Sequence, residues 1–135
     1  MTDHSSAHFA TVKPVSGSFD QVVERARQAL ADQGFGILSE IDVSAALKKR
    51  LGVDHPRTLI LGACNPPLAL RALMAVPDVA VFLPCNVVVR EDGRGGIDVA
   101  VIKVQVIADS IDDAVIGNVA REVQTRLDAA LQALA

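Results

Sequence analysis

The 135 residues include no tryptophan, no tyrosine and only four phenylalanines. Proteins that hold single-stranded nucleic acid need aromatic faces for the bases and a positive field for the phosphates. With a net charge of −3 and a pI near 5.5 this chain has neither, and nucleic acid is not an expected partner. Cysteine is almost missing too. Two residues, Cys64 and Cys85, are too few for a disulfide framework. They lack C-x-x-C spacing and a clear histidine partner, so no structural zinc site, and no metal centre of any kind, is expected. Phosphate loops, the G-x-S-x-G elbow, the dinucleotide-binding glycine fingerprint and H-E-x-x-H are all lacking. The apolar runs are too short or too interrupted to span a bilayer. The opening "MTDHSSAHFA" carries an acidic residue, no basic cluster and no apolar run, so it reads as neither a secretory signal nor a membrane anchor. The expected location is the cytoplasm, where two thiols stay reduced.

What the chain does have is hydrophobic content of one half and charge on about a fifth of its residues. That is enough to build a single core without covalent staples, and one domain is expected over residues 1–135, its core from about 8 to 134. His8 to Val15 reads as a strand whose Pro14 confines it to an edge or a strand end. Ser18 with Gln21 three residues on forms a capping box, and Val22, Ala26, Ala29 and Leu30 give the following helix an apolar face that ends at Gly34. Phe35 to Ile41 reads as a strand. Asp42 caps a short helix whose last turn holds Lys48, Lys49 and Arg50, where cations complement the helix dipole.

"RTLILGA", nearly all apolar, reads as a strand buried on both faces, and Asn65 with Pro66 starts a helix that Pro77 stops. "VFLPCNVVVR", "EDGRGG" and "IDVAVIKVQVIA" read as strand, hairpin turn and paired strand. Ser110 and Asp113 resemble a capping signal, Gly117-Asn118 interrupts the pattern with Asn118 as a possible cap, and from Val119 the helical stripe is plain. The order is strand, helix, four strands with two short helices inserted, then a long helix. It predicts an α+β fold with the two long helices on one face of a curved antiparallel sheet.

The cysteines raise the functional question, because each is followed by asparagine and sits beside a proline. If the strands ending at Ala63 and starting near Pro84 are antiparallel, Cys64 and Cys85 fall at one end of the sheet. Cys64 precedes a helix N-terminus, which favours a thiolate. The structural reading is equally open: free cysteine is among the most buried residue types, Asn65 serves as a cap and Pro66 as a first helical residue. It accounts less well for Pro84 and Asn86, which are placed by this reading inside a central strand. Glu40 and Asp42 flank Ile41 and could form a carboxylate pair, Asp42 being already explained as a cap. His55, before Pro56, is a loop histidine, and His4 and His8 belong to the N-terminal end.

The segments "GFGILSEIDVSAALKKRLGVD", "ILGACNPPLALRAL" and "LPCNVVVRED" resemble the bacterial and archaeal family named domain of unknown function 302, over roughly Val12 to Leu134. The resemblance implies a fold like that of the TATA-box-binding protein, strand, helix, four strands, helix, and a frequent homodimer. It implies no activity, and a shared fold carries no function.

Three functions compete. The first is a small-molecule or cofactor-binding module, its cofactor unspecified, with Asn65 and Asn86 as polar ligands' partners and Glu40 and His55 as further candidate contacts. The second is a thiol-dependent redox enzyme or sulfur carrier with Cys64 as nucleophile and Cys85 as resolving thiol, which needs Cα atoms within about 7 Å. The third is a structural or regulatory homodimer that buries a sheet face including Val87, Val89, Val99 and Val101.

Overall fold

The computed structural model describes residues 8–134, so His4 lies outside it. A five-stranded antiparallel sheet is built from β1 (Ala10–Val15), β2 (Gly36–Asp42), β3 (Thr58–Cys64), β4 (Cys85–Glu91) and β5 (Ile97–Ile102), in the spatial order β1-β5-β4-β3-β2. The helices are α1 (Phe19–Asp32), α2 (Val43–Leu51), α3 (Pro66–Ala75), α4 (Gln105–Ser110) and α5 (Ala114–Gln132), with a 3₁₀ turn at Pro77–Phe82. The α+β class and the strand-helix-four strands-helix order expected from the sequence are those observed. Among the described residues no helix is long and apolar enough to cross a membrane.

Local chemistry explains the element ends. Ser18 Oγ accepts from the Gln21 N–H at 3.2 Å while Gln21 returns a bond to the Ser18 N–H at 3.0 Å, so two of the orphan donors at the start of α1 are satisfied. Gly34 takes φ +85° beyond the end of α1, a conformation costly for a side chain with Cβ. Asp42 closes β2 and caps α2 together, its carboxylate accepting from the Ala45 N–H at 2.9 Å. These bonds, first that from Ala45 and then that from the Ser44 hydroxyl, hold the Asp42 carboxyl below the usual carboxylate range.

Alternation along the strands decides what the helices cover. Leu61, Val87, Val89 and Val99 lie on one face with Val22 and Leu30 of α1 and Leu127 of α5, all effectively removed from water. Each such side chain contributes roughly 1.5–3 kcal/mol by burial. This overturns the sheet face assigned above to a dimer partner: Val87, Val89, Val99 and Val101 are covered by the chain's own helices. The opposite face carries Val12, Ile60, Val88 and Ala100, with Arg90 Nε bonded to the buried Asp98 carboxylate at 2.7 Å.

At the sheet's edges, β1 contains Pro14, and β2 shifts register between Ile37 and Ser39, leaving Leu38 out of the ladder. Lys13 reaches from β1 to the carbonyls of Leu131, Gln132 and Leu134, tying the end of α5 to the sheet.

Three sequence expectations are corrected. The strand read through "IDVAVIKVQVIA" ends at Ile102, and Gln105–Ser110 is helical. Val104, Ile107, Ala108 and Ile111 are spaced i, i+3, i+4, i+7, and their burial against α5 outweighs the short Val-Gln-Val alternation. Asn118 is not a cap. Asp113 caps α5 through the Ile116 N–H at 3.1 Å, and Gly117-Asn118 passes within the helix. Finally, Val81 and Phe82 belong to the 3₁₀ turn, and β4 begins only at Cys85. Pro84 therefore precedes the ladder and removes no bond from it, so the proline half of the objection to the structural reading falls, while Asn86 does lie within the central strand β4.

Candidate functional site

Where β3 ends and β4 begins, Ala63 pairs with Cys85 and Gly62 with Asn86. The next residue, Cys64, is the last of β3, and Asn65 then turns the chain into α3. The two cysteines are thereby brought to one end of the sheet, both free and both half-buried. They line a common cavity of about 60 Å³, open on one side, whose other walls come from Phe35 just before β2, Leu68 and Ala72 of α3, Phe82 of the 3₁₀ turn, Ile107 of α4 and Val119 and Val123 of α5. No Lys, Arg, His, Asp or Glu is on these walls, and Asn65 is their one amide side chain.

Asn65 is buried and already occupied. Its side-chain oxygen accepts from the Leu68 N–H at 3.4 Å, and its amide donates to the Gln33 carbonyl at 3.5 Å. Arg126 donates to that same carbonyl at 3.2 Å, so the end of α1, the start of α3 and the middle of α5 meet at one oxygen. One amide hydrogen and one lone pair remain for a ligand. Both Asn65 bonds are long, so Asn65→Ala is expected to cost about 1 kcal/mol rather than 2, read as a shift of the denaturation midpoint at unchanged m-value.

The thiols differ. Burial first, and the neighbouring Cys64 charge second, push the Cys85 thiol up to about 11. A thiol held this far above neutrality is protonated at pH 7 and is a poor nucleophile.

The other candidates are elsewhere. Asn86 is exposed, and alternation along β4 turns it to the face opposite Cys85 and Val87. Glu40 is ion-paired with Arg27 and lies with Asp42 on a polar cleft of about 290 Å³ between α1 and the starts of α2 and β3. In that cleft Arg57 is bound to Asp20 at 3.2 Å and stacks over Phe19 at 4.0 Å. His55 is exposed between α2 and β3, its Nδ1 2.7 Å from the Pro56 carbonyl, and lines neither space. Sequence reasoning thus assembled Cys64, Asn65 and Cys85 but missed the apolar walls. Phe82, Ile107 and Val119 carry no chemical signature; the helical spacing that places Ile107 was read as a strand, Phe82 was read into the strand that follows it, and Val119 was read on its helix.

The model of the family described as "Domain of unknown function DUF302" matches residues 11–134. The chain is 29% identical to the protein of the "Crystal structure of uncharacterized conserved protein DUF302 from Bacillus stearothermophilus", with a TM-score of 0.88 over 96% of this chain and 100% of that one. No curated protein matches the chain.

Proposed function

The chain belongs to the family described as Domain of unknown function DUF302, and from that premise we propose that it is a small-molecule-binding module whose ligand inserts an apolar group into the Cys64–Asn65–Cys85 cavity. The observation that carries this reading is the cavity's wall, apolar except for Asn65 and the two cysteines, and assembled from β3, α3, the 3₁₀ turn, β4, α4 and α5. Such a wall loses dispersion contacts while empty and regains them when filled. At about 60 Å³ the enclosed space is smaller than the roughly 150 Å³ of an apolar cavity that takes benzene, so a short unbranched group suits it. Cys85, protonated at neutral pH, supports a binding wall better than the redox or sulfur-carrier alternative.

The test is a titration with the straight-chain alcohols from methanol to hexanol, followed by methyl chemical shifts of Ala72, Ala108, Ala120 and Val119. Each added methylene contributes roughly 0.8 kcal/mol, about fourfold in affinity, until the enclosed space is full, where the series levels off. Ala72→Leu, which pushes three carbons into the cavity, is expected to abolish the response. Shift changes scattered over the surface, or a response unchanged by Ala72→Leu, would sink the proposal.

A further inference from the structure

We propose that the polar cleft between α1 and the starts of α2 and β3 is a binding site for a short aliphatic diamine, a ligand with one ammonium at each end. The cleft has a volume of about 290 Å³ and shares no wall residue with the cavity of Cys64 and Cys85, so the proposal does not rest on the alcohol-binding reading. Its charges fall into two groups. At one end Arg27 is bonded to Glu40 and lies 3.5 Å from Glu24. At the other, Arg57 is bonded to Asp20 at 3.2 Å and its charge reaches the Asp42 carboxylate. Each end thus sets two carboxylates against one guanidinium and keeps a surplus of one negative charge. Val23 and Leu59, both buried, make an apolar floor, and Phe19 holds the Arg57 guanidinium over its ring at 4.0 Å.

Spacing selects the ligand. Asp20 and Glu24 stand one turn apart on α1, about 6 Å along the helix axis. Glu40 and Asp42 stand two residues apart on the same face of β2, about 6.6 Å along the strand. The cleft is therefore bordered by two rails of carboxylates with nearly equal intervals. A four-carbon diamine, five bonds of about 1.5 Å in a zigzag, carries its nitrogens about 6 Å apart and matches both. Its methylenes lie on the apolar floor while each ammonium takes carboxylate oxygens from the two rails, which retain lone pairs beyond those given to the arginines. A point dication does not fit, because among the described residues no group of three or more His, Cys, Asp and Glu side chains is placed to hold a metal. An amino acid fits no better. Its carboxylate would face two others at whichever end it entered.

The deciding experiment follows amide chemical shifts of the full-length chain during titration with the α,ω-diamines of ethane, butane, hexane and octane, and with butylamine. The butane diamine is expected to bind about tenfold more tightly than butylamine, since its second ammonium acts at the effective concentration set by the first. Affinity is expected to fall for the ethane and octane diamines, and about tenfold for all between about 20 and 200 mM salt. The shifts are expected at Glu24, Arg27, Glu40 and Leu59, with the Ala72 and Val119 methyls of the other cavity unmoved, so that the two readings fail separately. Glu24 is exposed and bonded only to Arg27, so Glu24→Gln keeps the fold and is expected to weaken binding about fivefold. Asp109→Asn, exposed on α4 outside the cleft, removes the same charge and is expected to leave binding unchanged. Butylamine binding as tightly as the diamine, equal losses in the two variants, or shifts confined to residues outside the cleft would each overturn the proposal.

Discussion

Gly62→Ala is expected to destabilise the protein by about 2 kcal/mol, and Gly62→Val by more, measured from urea denaturation. Gly62 lies on β3 opposite Asn86, where a Cβ would come within 2.8 Å of Pro84 Cγ and closer still to Ser39 Oγ. Carbon atoms in contact prefer about 3.5–4.0 Å, so something must move. The Ser39 hydroxyl can swing to another rotamer. The Pro84 ring cannot, because it is part of the backbone that delivers Cys85 to the ladder. Forced methylenes of this kind cost typically 1–3 kcal/mol. The entropy that alanine removes from the unfolded chain returns only about 0.4–1 kcal/mol. Ser39→Gly in the Gly62→Ala background is therefore expected to recover part of the loss and not all of it. Full recovery would show that Ser39 alone sets the limit. Displacement of Pro84 also moves the wall next to it, so Gly62→Ala is expected to weaken the alcohol response even at temperatures where the protein stays folded.

Alkylation of Cys85 by iodoacetamide at pH 8 is expected to run about two orders of magnitude slower than that of a free thiol, and to rise about tenfold per pH unit until near 11. The same shift sets an alkaline limit on stability. A thiol whose pKa stands near 9.0 in the unfolded chain and about 11 in the fold leaves the native state holding more protons between those values. Stability from this group is complete below pH 9 and declines as the pH rises towards 11, by roughly 2–3 kcal/mol in all. Cys85→Ala is expected to flatten that decline, seen by comparing the two proteins' unfolding free energies across the range. With no tyrosine in the chain, thiolate absorption follows the titration without interference from tyrosinate. A thiol titrating near 8.5 would overturn the argument and reopen Cys85 as a nucleophile.

The fold was legible where one interaction dominated. Ser18 with Gln21, Asp42 with Ala45, and Asn65 with Pro66 announce helix starts because orphan N–H groups need acceptors and short polar side chains supply them locally. The two cysteine segments were expected at one end of the sheet on the condition that their strands run antiparallel, and β3 and β4 do, with α3 and the 3₁₀ turn between them. What was not legible depended on partners distant in sequence. Ile107 and Ala108 are helical because α5 offers a surface for them, while four consecutive residues from Lys103 alternate well enough to pass for a strand. Asn86 looked equivalent to Asn65 in sequence, yet the pleat of β4 turns it to the far face. The neighbours of a cavity are chosen by tertiary packing, so its apolar wall leaves no local mark.

Both margins of the sheet resist extension by another strand. On β1, Pro14 offers no N–H to a newcomer, and on β2 the unpaired Leu38 throws the outward hydrogen-bonding groups out of step. An extended peptide, or a second copy offering its own edge, would meet an interrupted row of donors and acceptors on either side. Continuous ribbons of the kind that seed fibrils are therefore disfavoured at its borders from the start.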